Sequence, residues 1–226
     1  MTEEAQALRR VGIVGDVHAE DETLAAALAF LIERPDLDEL FCTGDLPGDS
    51  GSVDRCCALL RGAGVQTVRG NHDRWHFEEV PFRTNDYPGM EVGPEATAFL
   101  ASLPPTREYA TPDGLLLLCH GLGDDDLAGV YPDGENRTRE SGHRLNALVE
   151  GGRYRYVVNG HTHRRMVRTI EGTTFVNAGT LHWAFGPVCA VVDFAARVAH
   201  FFDIHPDTRE ITPADTIPLP APPVAR

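Results

Sequence analysis

The chain contains no lysine, so all 20 of its basic residues are arginines. They are outnumbered by 34 acidic residues, which gives the 226 residues a formal net charge of −14 at pH 7. A surface this acidic repels a phosphate backbone, so we do not expect general binding to nucleic acid. A compact site with its own positive charge can still bind one phosphate group, because Coulomb attraction is strongest at contact distance.

Long apolar runs are also lacking. The most apolar stretch, residues 24–32, is far too short to span a bilayer, and the start MTEEAQ is acidic where a signal peptide would be basic. The cysteines show no paired spacing typical of a zinc site; they are Cys42, Cys56, Cys57, Cys119 and Cys189. We therefore expect reduced, mostly buried thiols in a cytoplasmic protein that does not bind membranes.

Short apolar runs alternate with helical patterns at the start of the chain. Residues 11–14, 40–43 and 65–68 are predicted strands, and helices are predicted at 21–34 and 53–62. This β-α-β-α-β order favours a largely parallel sheet covered by helices.

The remainder is predicted to continue as a single domain over residues 1–205. Helices are expected near 94–103 and 141–150, and a strongly apolar strand at 115–119. The last third is predicted to form strands at 154–158, 166–170, 174–176, 188–194 and 198–204. Residues 74–93 and 121–140 are predicted to be irregular. The proline-rich residues 206–226 are predicted to be a loosely packed tail.

Five polar clusters each follow directly on an apolar strand. They are Gly15-Asp16-Val17-His18, Gly44-Asp45, Gly70-Asn71-His72-Asp73, His120-Gly121 and Gly160-His161-Thr162-His163. In open α/β sheets, ligands bind beyond the carboxyl ends of the strands, so we expect these clusters to meet at one edge. Taken singly, each cluster is also explained by a turn or a hydrogen-bonded strand end. Five such clusters together favour a binding site.

The side chains of the clusters offer carboxylate or amide oxygen and imidazole nitrogen, which suits Mn²⁺, Fe or Zn²⁺. The candidate ligands are Asp16, His18, Asp45, Asn71, His120, His161 and His163. Seven ligands are too many for one tetrahedral ion but enough for two ions that share a carboxylate. In an extended backbone, residues i and i+2 point the same way, so Asp16/His18 and His161/His163 should each present two ligands to one pocket.

Two further segments lie close to these clusters in the sequence. His182 follows a candidate site loop, although a histidine with no metal role is its simpler interpretation. The run Asp124-Asp125-Asp126 is interpreted as a solvated loop, with binding of an extra cation as the alternative.

The ordered motifs GDVH, GD, GNHD, HG and GHTH, followed by Asn177-Ala178-Gly179-Thr180, resemble those of the calcineurin-like metallophosphoesterase superfamily. The resemblance extends from about residue 11 to residue 180 and is greatest to the small bacterial phosphoesterases. It implies an α/β fold of two facing mixed β-sheets flanked by helices, an αββα sandwich.

The resemblance also implies how the ligands are shared between two divalent ions, Mn²⁺ before Fe or Zn²⁺. One ion would be held by Asp16, His18 and His163, the other by Asn71, His120 and His161, with Asp45 bridging. His72 corresponds to the histidine beside the scissile phosphate. We expect Asp73 to orient His72 as part of the catalytic machinery, and Arg74 to contact the substrate.

The activity implied is hydrolysis of a phosphoester by a hydroxide that bridges the metals, with a preference for diesters over monoesters. Protein phosphatases of the superfamily carry Asp and Arg where this chain has Gly48 and Asp49, so protein phosphatase activity is a weaker alternative. A non-catalytic scaffold with the same fold is the other alternative, and the intact ligand set favours an enzyme. The expected partner is a small phosphoester, with nucleotides among the candidates, selected by residues 75–93 and 121–140.

Overall fold

The computed structural model describes residues 7–48, 51–78, 92–132 and 139–222. Along the chain, the elements are β1 (Arg10–Val14), α1 (Asp21–Ile32), β2 (Glu39–Cys42), α2 (Val53–Gly62), β3 (Gln66–Thr67), α3 (Asn71–Trp75), α4 (Pro94–Ser102), β4 (Thr106–Thr111), β5 (Gly114–Cys119), α5 (Arg139–Glu150), β6 (Tyr154–Asn159), β7 (Met166–Ile170), β8 (Thr173–Asn177), β9 (Val188–Asp193), β10 (Val198–Ile204) and β11 (Ile211–Pro218). A 3₁₀ turn, Trp183–Phe185, lies between β8 and β9.

The strands form two mixed sheets, with the order β11-β10-β9-β1-β2-β3 in the first and β4-β5-β6-β8-β7 in the second. A buried apolar core lies between them and includes Ile13 and Phe41 of the first sheet and Leu116 and Tyr156 of the second. Further apolar clusters join the outer face of the first sheet to α1, α2 and α4, and that of the second sheet to α5. The predicted αββα sandwich is confirmed.

Parallel pairing sets where the polar clusters emerge. β1 pairs in parallel with β2, with Val14 opposite Cys42, so the chain leaves both strands at the same edge of the first sheet. In the second sheet, β5 pairs in parallel with β6, with Leu118 opposite Val158. The loops that follow these four strands therefore lie at corresponding sheet edges.

Local sequence signals account for several element boundaries. Ser52 caps α2 by accepting a hydrogen bond from Arg55 N at 3.2 Å, as serine commonly does at a helix start. Pro94 is the first residue of α4, where its missing N–H costs nothing. All five cysteines are free and buried, which confirms the expected thiols. No helix in the described ranges is long and apolar enough to cross a membrane.

The predicted loose tail is wrong for residues 211–218, which form β11. This strand pairs antiparallel with β10 at the edge of the first sheet, where proline is tolerated because one side needs no hydrogen bonds. Leu219 follows it, is buried, and donates a backbone hydrogen bond to Arg197 O at 2.8 Å. The domain boundary at 205 stays a prediction, and residues 223–226 lie outside the described part.

Other differences concern short elements. β4 and α3 were not predicted, and α3 begins within a segment expected to follow a strand as a loop. Of the segments expected to be irregular, residues 79–91 and 133–138 lie outside the described residues, as do Asp49 and the amino-terminal MTEEAQ.

Candidate metal centre

The structure brings the seven candidate ligands together from both sheets. The loops after β1 and β2 and the start of α3, which follows β3, supply one part of the set, and loops after β5 and β6 supply the other. From the first sheet come Asp16, His18, Asp45 and Asn71; from the second come His120, His161 and His163. The convergence expected from the strand ends is therefore present.

One group of donors consists of Asp16, His18 and His163. Each offers a ligand atom, and these atoms all lie within 4.8 Å of one another. The Nε2 atoms of His18 and His163 are 3.0 Å apart, and His163 Nε2 is 3.5 Å from Asp16 Oδ1. This is the trio that the family resemblance assigns to one ion.

A second group forms around Asn71. Its side-chain amide lies 3.0 Å from His120 Nε2 and 3.0 Å from His161 Nδ1. His120 Nε2 is also 3.3 Å from Asp45 Oδ2. Asp16, Asp45 and His120 in turn offer ligand atoms within 4.8 Å of one another, so carboxylates connect the two groups.

Burial keeps three of the imidazoles neutral. It lowers the pKa of His18 to about 3 and the pKa values of His161 and His163 to about 4, while the negative charge of Asp45 opposes the shift in each case. The neutral imidazole is the form that binds a metal ion. The charge of Asp45 thus acts on histidines of both groups, which is what a ligand shared by the two groups would do.

The fourth imidazole behaves differently. Burial lowers the pKa of His120, but the charges of Asp45 and Asp16 outweigh burial and raise this pKa to about 10. Burial would raise the pKa of Asp45, and the surrounding imidazoles instead hold it below its usual range. Burial raises the pKa of Asp16 to about 7. A bound cation would replace the proton as the positive partner of these carboxylates.

Unpartnered polar atoms point to a cation as well. Asp16 Oδ2 and His18 Nδ1 are buried and have no hydrogen-bond partner within the described part of the chain. Leaving such groups unpaired costs free energy, about 1–3 kcal/mol for a neutral group and more for a charged one. The donor set of oxygen and imidazole nitrogen fits a divalent transition metal.

Five of the seven candidate ligands have left-handed backbone conformations. Their φ angles are +49° for Asp16, +48° for His18, +53° for Asp45, +67° for His161 and +57° for His163. Such conformations cost about 1–3 kcal/mol each for a residue other than glycine, and they cluster at functional sites.

The extended geometry predicted for Asp16/His18 and His161/His163 is therefore wrong, although the side chains still reach the site. His161 and His163 both reach the connected site, but they approach different donors. His161 Nδ1 approaches the side chain of Asn71, whereas His163 Nε2 approaches His18 Nε2.

His72 lies beside the donors without belonging to either group. Its ring centroid is 4.8 Å from that of His18 and 4.9 Å from that of Trp75. Its Nε2 is 4.0 Å from Asp45 Oδ2, and its backbone N donates to Asp45 Oδ1 at 2.8 Å. With 18% of its side chain exposed, His72 can meet a substrate at the opening of the site.

Asp73 has a different position from the one predicted. Its Oδ2 accepts hydrogen bonds from Asp45 N at 2.9 Å and Gly70 N at 2.6 Å, and its Oδ1 accepts one from Leu46 N at 2.9 Å. Asp73 is the third residue of α3, so its buried carboxylate turns back toward the helix start. It positions backbone instead of orienting the His72 ring.

Arg74 is likewise engaged differently from the prediction of a substrate contact. Its Nε and Nη2 donate to the Asp126 carboxylate at 2.7 and 2.9 Å, and its Nη1 donates to both oxygens of Glu78 at 2.8 and 2.7 Å. Two carboxylates thus occupy the guanidinium. Asp126 is accordingly an ion-pair partner instead of part of a freely solvated acidic run.

Comparison with known proteins identifies the family. A family model described as the calcineurin-like phosphoesterase superfamily domain matches residues 10–197. The chain belongs to this superfamily. A search of curated proteins finds no match.

Solved structures share the calcineurin-like phosphoesterase fold. A metallophosphoesterase from Sphaerobacter thermophilus is 19% identical, with 88% of each chain covered and a TM-score of 0.64. Yfce, a phosphoesterase from E. coli, is 13% identical with a TM-score of 0.53, covering 93% of this chain and 100% of its own. Vps29 from Entamoeba histolytica, complexed with Zn²⁺, is 15% identical with a TM-score of 0.52, covering 92% and 98%.

Residues near the donors make contacts that the sequence did not predict, although the Asn177–Thr180 segment was among its motifs. Thr180 Oγ1 donates to Asp16 O at 2.7 Å, and Asn177 Nδ2 donates to Gly160 O at 2.7 Å, so the Asn177–Thr180 turn supports both donor loops. The His182 ring centroid lies 5.5 Å from that of His18. The position of His182 after the turn was the only hint of this proximity.

Proposed function

We propose that this protein is a metal-dependent phosphoesterase with two divalent ions, Mn²⁺ first among the candidates, and a small phosphoester as substrate. The observation that carries the proposal is the meeting of seven oxygen and imidazole donors, in two connected groups, beside a further histidine. Superfamily membership, the phosphoesterases among the similar structures and the Zn²⁺ complex of Vps29 support it.

The donor groups suggest where the ions would bind. Asp16, His18 and His163 would hold one, Asn71, His120 and His161 the other, and Asp45 would bridge them. Divalent ions lower the pKa of bound water and neutralise phosphate oxygens, which is the chemistry they would supply here. Their combined positive charge exceeds the negative charge of Asp16 and Asp45, so an anionic substrate can enter an acidic protein.

His72 is assigned the role of a proton donor or hydrogen-bond donor toward the leaving oxygen. Its backbone is fixed by Asp45 Oδ1, and its ring lies next to His18 at the opening of the site. A correctly placed general acid contributes about 10²–10⁴-fold to the rate. Because water would be the attacking group, hydrolysis needs no covalent intermediate with the protein.

We assign phosphodiesters as the preferred substrates, with phosphomonoesters as the alternative. A diester carries one negative charge fewer and depends less on additional cationic side chains. Arg74, the arginine expected to supply such charge, is paired with Asp126 and Glu78.

The test compares bis(p-nitrophenyl) phosphate with p-nitrophenyl phosphate at increasing Mn²⁺. We expect metal-dependent turnover that is faster on the diester. Asp45→Asn should abolish turnover, and His72→Ala should lower kcat by about 10²–10⁴-fold with metal binding retained. Asp124→Asn, at a carboxylate that is 79% exposed, is the matched control and should leave the turnover rate unchanged.

Two results would decide against the proposal. Equal, measurable rates in wild type, Asp45→Asn and His72→Ala, with folding confirmed by circular dichroism, would overturn the assigned site, and no turnover by folded, Mn²⁺-treated wild type would favour a non-catalytic scaffold. Turnover of the monoester alone would instead reverse the assignment of diesters.

A further inference from the structure

Two aromatic side chains beside the metal centre are largely open to solvent. Trp183 is 60% exposed and Phe185 is 61% exposed, the highest values among the large hydrophobic residues of the described part. Both belong to the 3₁₀ turn between β8 and β9. Apolar side chains that are neighbours on the surface and border a polar site commonly mark a binding surface.

The turn places these aromatic rings against the candidate metal ligands. The Phe185 ring centroid is 4.9 Å from that of His163 and 5.3 Å from that of His182. The His182 ring is stacked on Trp183, with centroids 6.0 Å apart and an interplanar angle of 26°. The His182 ring centroid in turn lies 5.5 Å from that of His18, so Trp183 is one ring away from the first donor group, whereas Phe185 adjoins it.

Hydrogen bonds fix the turn to the loop that carries Asp16. Leu181 N donates to Gly15 O and Asp16 O, each at 3.2 Å, and His182 N donates to Thr180 Oγ1 at 3.0 Å. Trp183 N donates to Glu20 Oε1 at 3.3 Å. The two aromatic residues are thus held at a set distance from the metal centre instead of belonging to an unattached loop.

We propose that Trp183 and Phe185 form a stacking platform for the nucleobase of a nucleotide phosphoester whose phosphate occupies the metal centre. This inference rests on the proposed function and narrows its substrate class. A nucleobase is planar and uncharged, so it stacks on aromatic rings whatever its identity. The negative charge of such a ligand is confined to the phosphate, which the ions would neutralise.

Charge argues for this occupant over a membrane surface. The net charge of −14 repels anionic lipid headgroups, and the turn offers no cationic side chain of its own. The platform also borders the donors directly. A base stacked on it can therefore belong to the same molecule as the phosphate at the metal centre.

The test uses two diesters with the same leaving group: the p-nitrophenyl esters of thymidine 5′-phosphate and of methyl phosphate. In each reaction, water adds to phosphorus, the bond to the nitrophenyl oxygen breaks, and nitrophenol and a phosphate monoester are released. Because only the nucleoside differs, the ratio of the two kcat/KM values reports the contribution of base and sugar together, and its change in the aromatic variants reports the contribution of stacking.

We expect wild type to favour the thymidine ester, and Trp183→Ala to lower the kcat/KM ratio about tenfold or more, mainly through KM. Phe185→Ala should lower it as well, whereas Trp183→Phe should retain most of it. Ile32→Ala, which shortens an exposed apolar residue at the end of α1, is the control and should leave the ratio unchanged. Equal ratios in wild type, Trp183→Ala and Phe185→Ala would overturn the platform.

A binding measurement separates this inference from the proposed function. If wild type hydrolyses neither ester, the proposed function fails, and quenching of tryptophan fluorescence in the Mn²⁺-treated protein decides on the platform alone. Quenching by adenosine 5′-phosphate, absent with ribose 5-phosphate and reduced in Phe185→Ala, which keeps the Trp183 fluorophore, would support it. Equal effects of the two ligands, or no effect of either, would overturn it.

Discussion

The carboxylate of Asp73 holds the backbone of Asp45, 28 residues earlier in the chain, through a 2.9 Å hydrogen bond from Asp45 N. Asp45 returns a contact to the same helix by accepting a hydrogen bond from His72 N at 2.8 Å. The two acidic residues thus fasten the loop after β2 to the start of α3. The candidate bridging ligand is positioned by this reciprocal pair.

Asp73→Asn should destabilise the protein and weaken metal binding. An amide has one accepting oxygen, whereas Asp73 accepts three backbone hydrogen bonds with two. At least one buried N–H would lose its acceptor, at a cost of about 1–3 kcal/mol. Thermal unfolding and Mn²⁺ titration measure the two effects.

The control for Asp73 is Asp54→Asn. Asp54 Oδ1 accepts one exposed hydrogen bond from Gly93 N at 2.9 Å, which an asparagine oxygen can replace. We expect a change within about 0.5 kcal/mol for this surface substitution. Equal stability losses in the two variants would contradict the special role of Asp73.

Arg74 and Asp126 should be coupled in a double-mutant cycle. Their bidentate ion pair joins α3 to the loop after β5, so Arg74→Met and Asp126→Asn should each lower stability and be less than additive together. We expect a coupling of about 1 kcal/mol in urea unfolding. If Arg74→Met instead raised KM markedly with stability unchanged, Arg74 would contact substrate after all.

The stability of the metal-free protein should depend on pH through His163. Burial in the folded state lowers the pKa of this residue from 6.5 to about 4. As the pH falls, the unfolded chain therefore binds a proton at this imidazole before the folded chain does. The stability contribution is complete above pH 6.5 and is lost as the pH falls toward 4. Asp16, whose pKa is raised to about 7, contributes with the opposite sign, so a variant comparison is needed.

When the pH is lowered from 7.5 to 5, the free energy of unfolding should therefore fall by about 1–2 kcal/mol less in His163→Asn than in wild type. Urea unfolding at both pH values gives this difference. His143→Gln, at an exposed histidine of α5, is the matched control for removing an imidazole. A His163→Asn difference that stays constant with pH would contradict the burial of a neutral imidazole.

Gly160→Ala should disturb the first donor group. A Cβ at this position would lie 2.5 Å from Thr43 Oγ1 and closer still to Asp16 Oδ2, so Asp16 must move. Overpacking of this kind costs about 1–3 kcal/mol. Gly142→Ala, where a Cβ meets nothing within 4 Å and lies in a helix, should stabilise instead, by about 0.5–1 kcal/mol. Calorimetry with and without Mn²⁺ distinguishes the two, and a neutral Gly160→Ala would contradict the close approach.

Strand ends were the most predictable part of the site. Asp16 and Asp45 follow apolar runs that pair in parallel, and parallel pairing alone brings their loops to one edge. The identity of the donor atoms also follows from residue type. The set of candidate ligands could therefore be predicted from local patterns and their order. The two-sheet sandwich was implied only by the family resemblance, since the local patterns favoured a largely parallel sheet, whereas both observed sheets are mixed.

Side-chain direction was not predictable in the same way. Asp73 binds amides 27 and 28 residues away, and Arg74 pairs with a carboxylate 52 residues away, so neither partner is visible in the local sequence. The left-handed backbone of His161 and His163 was not predicted, because this conformation is uncommon for any residue other than glycine. The exposure of Trp183 likewise contradicts the usual preference of tryptophan for burial.

Every donor group in this protein draws on both sheets. Asp16 and His18 need His163 from across the sandwich, and Asn71 needs His120 and His161 from across it. Bound cations would therefore cross-link the two sheets through their ligands. Any slippage of one sheet against the other would dismantle both sites at once, so catalytic competence and the intact sandwich should disappear in a single cooperative step.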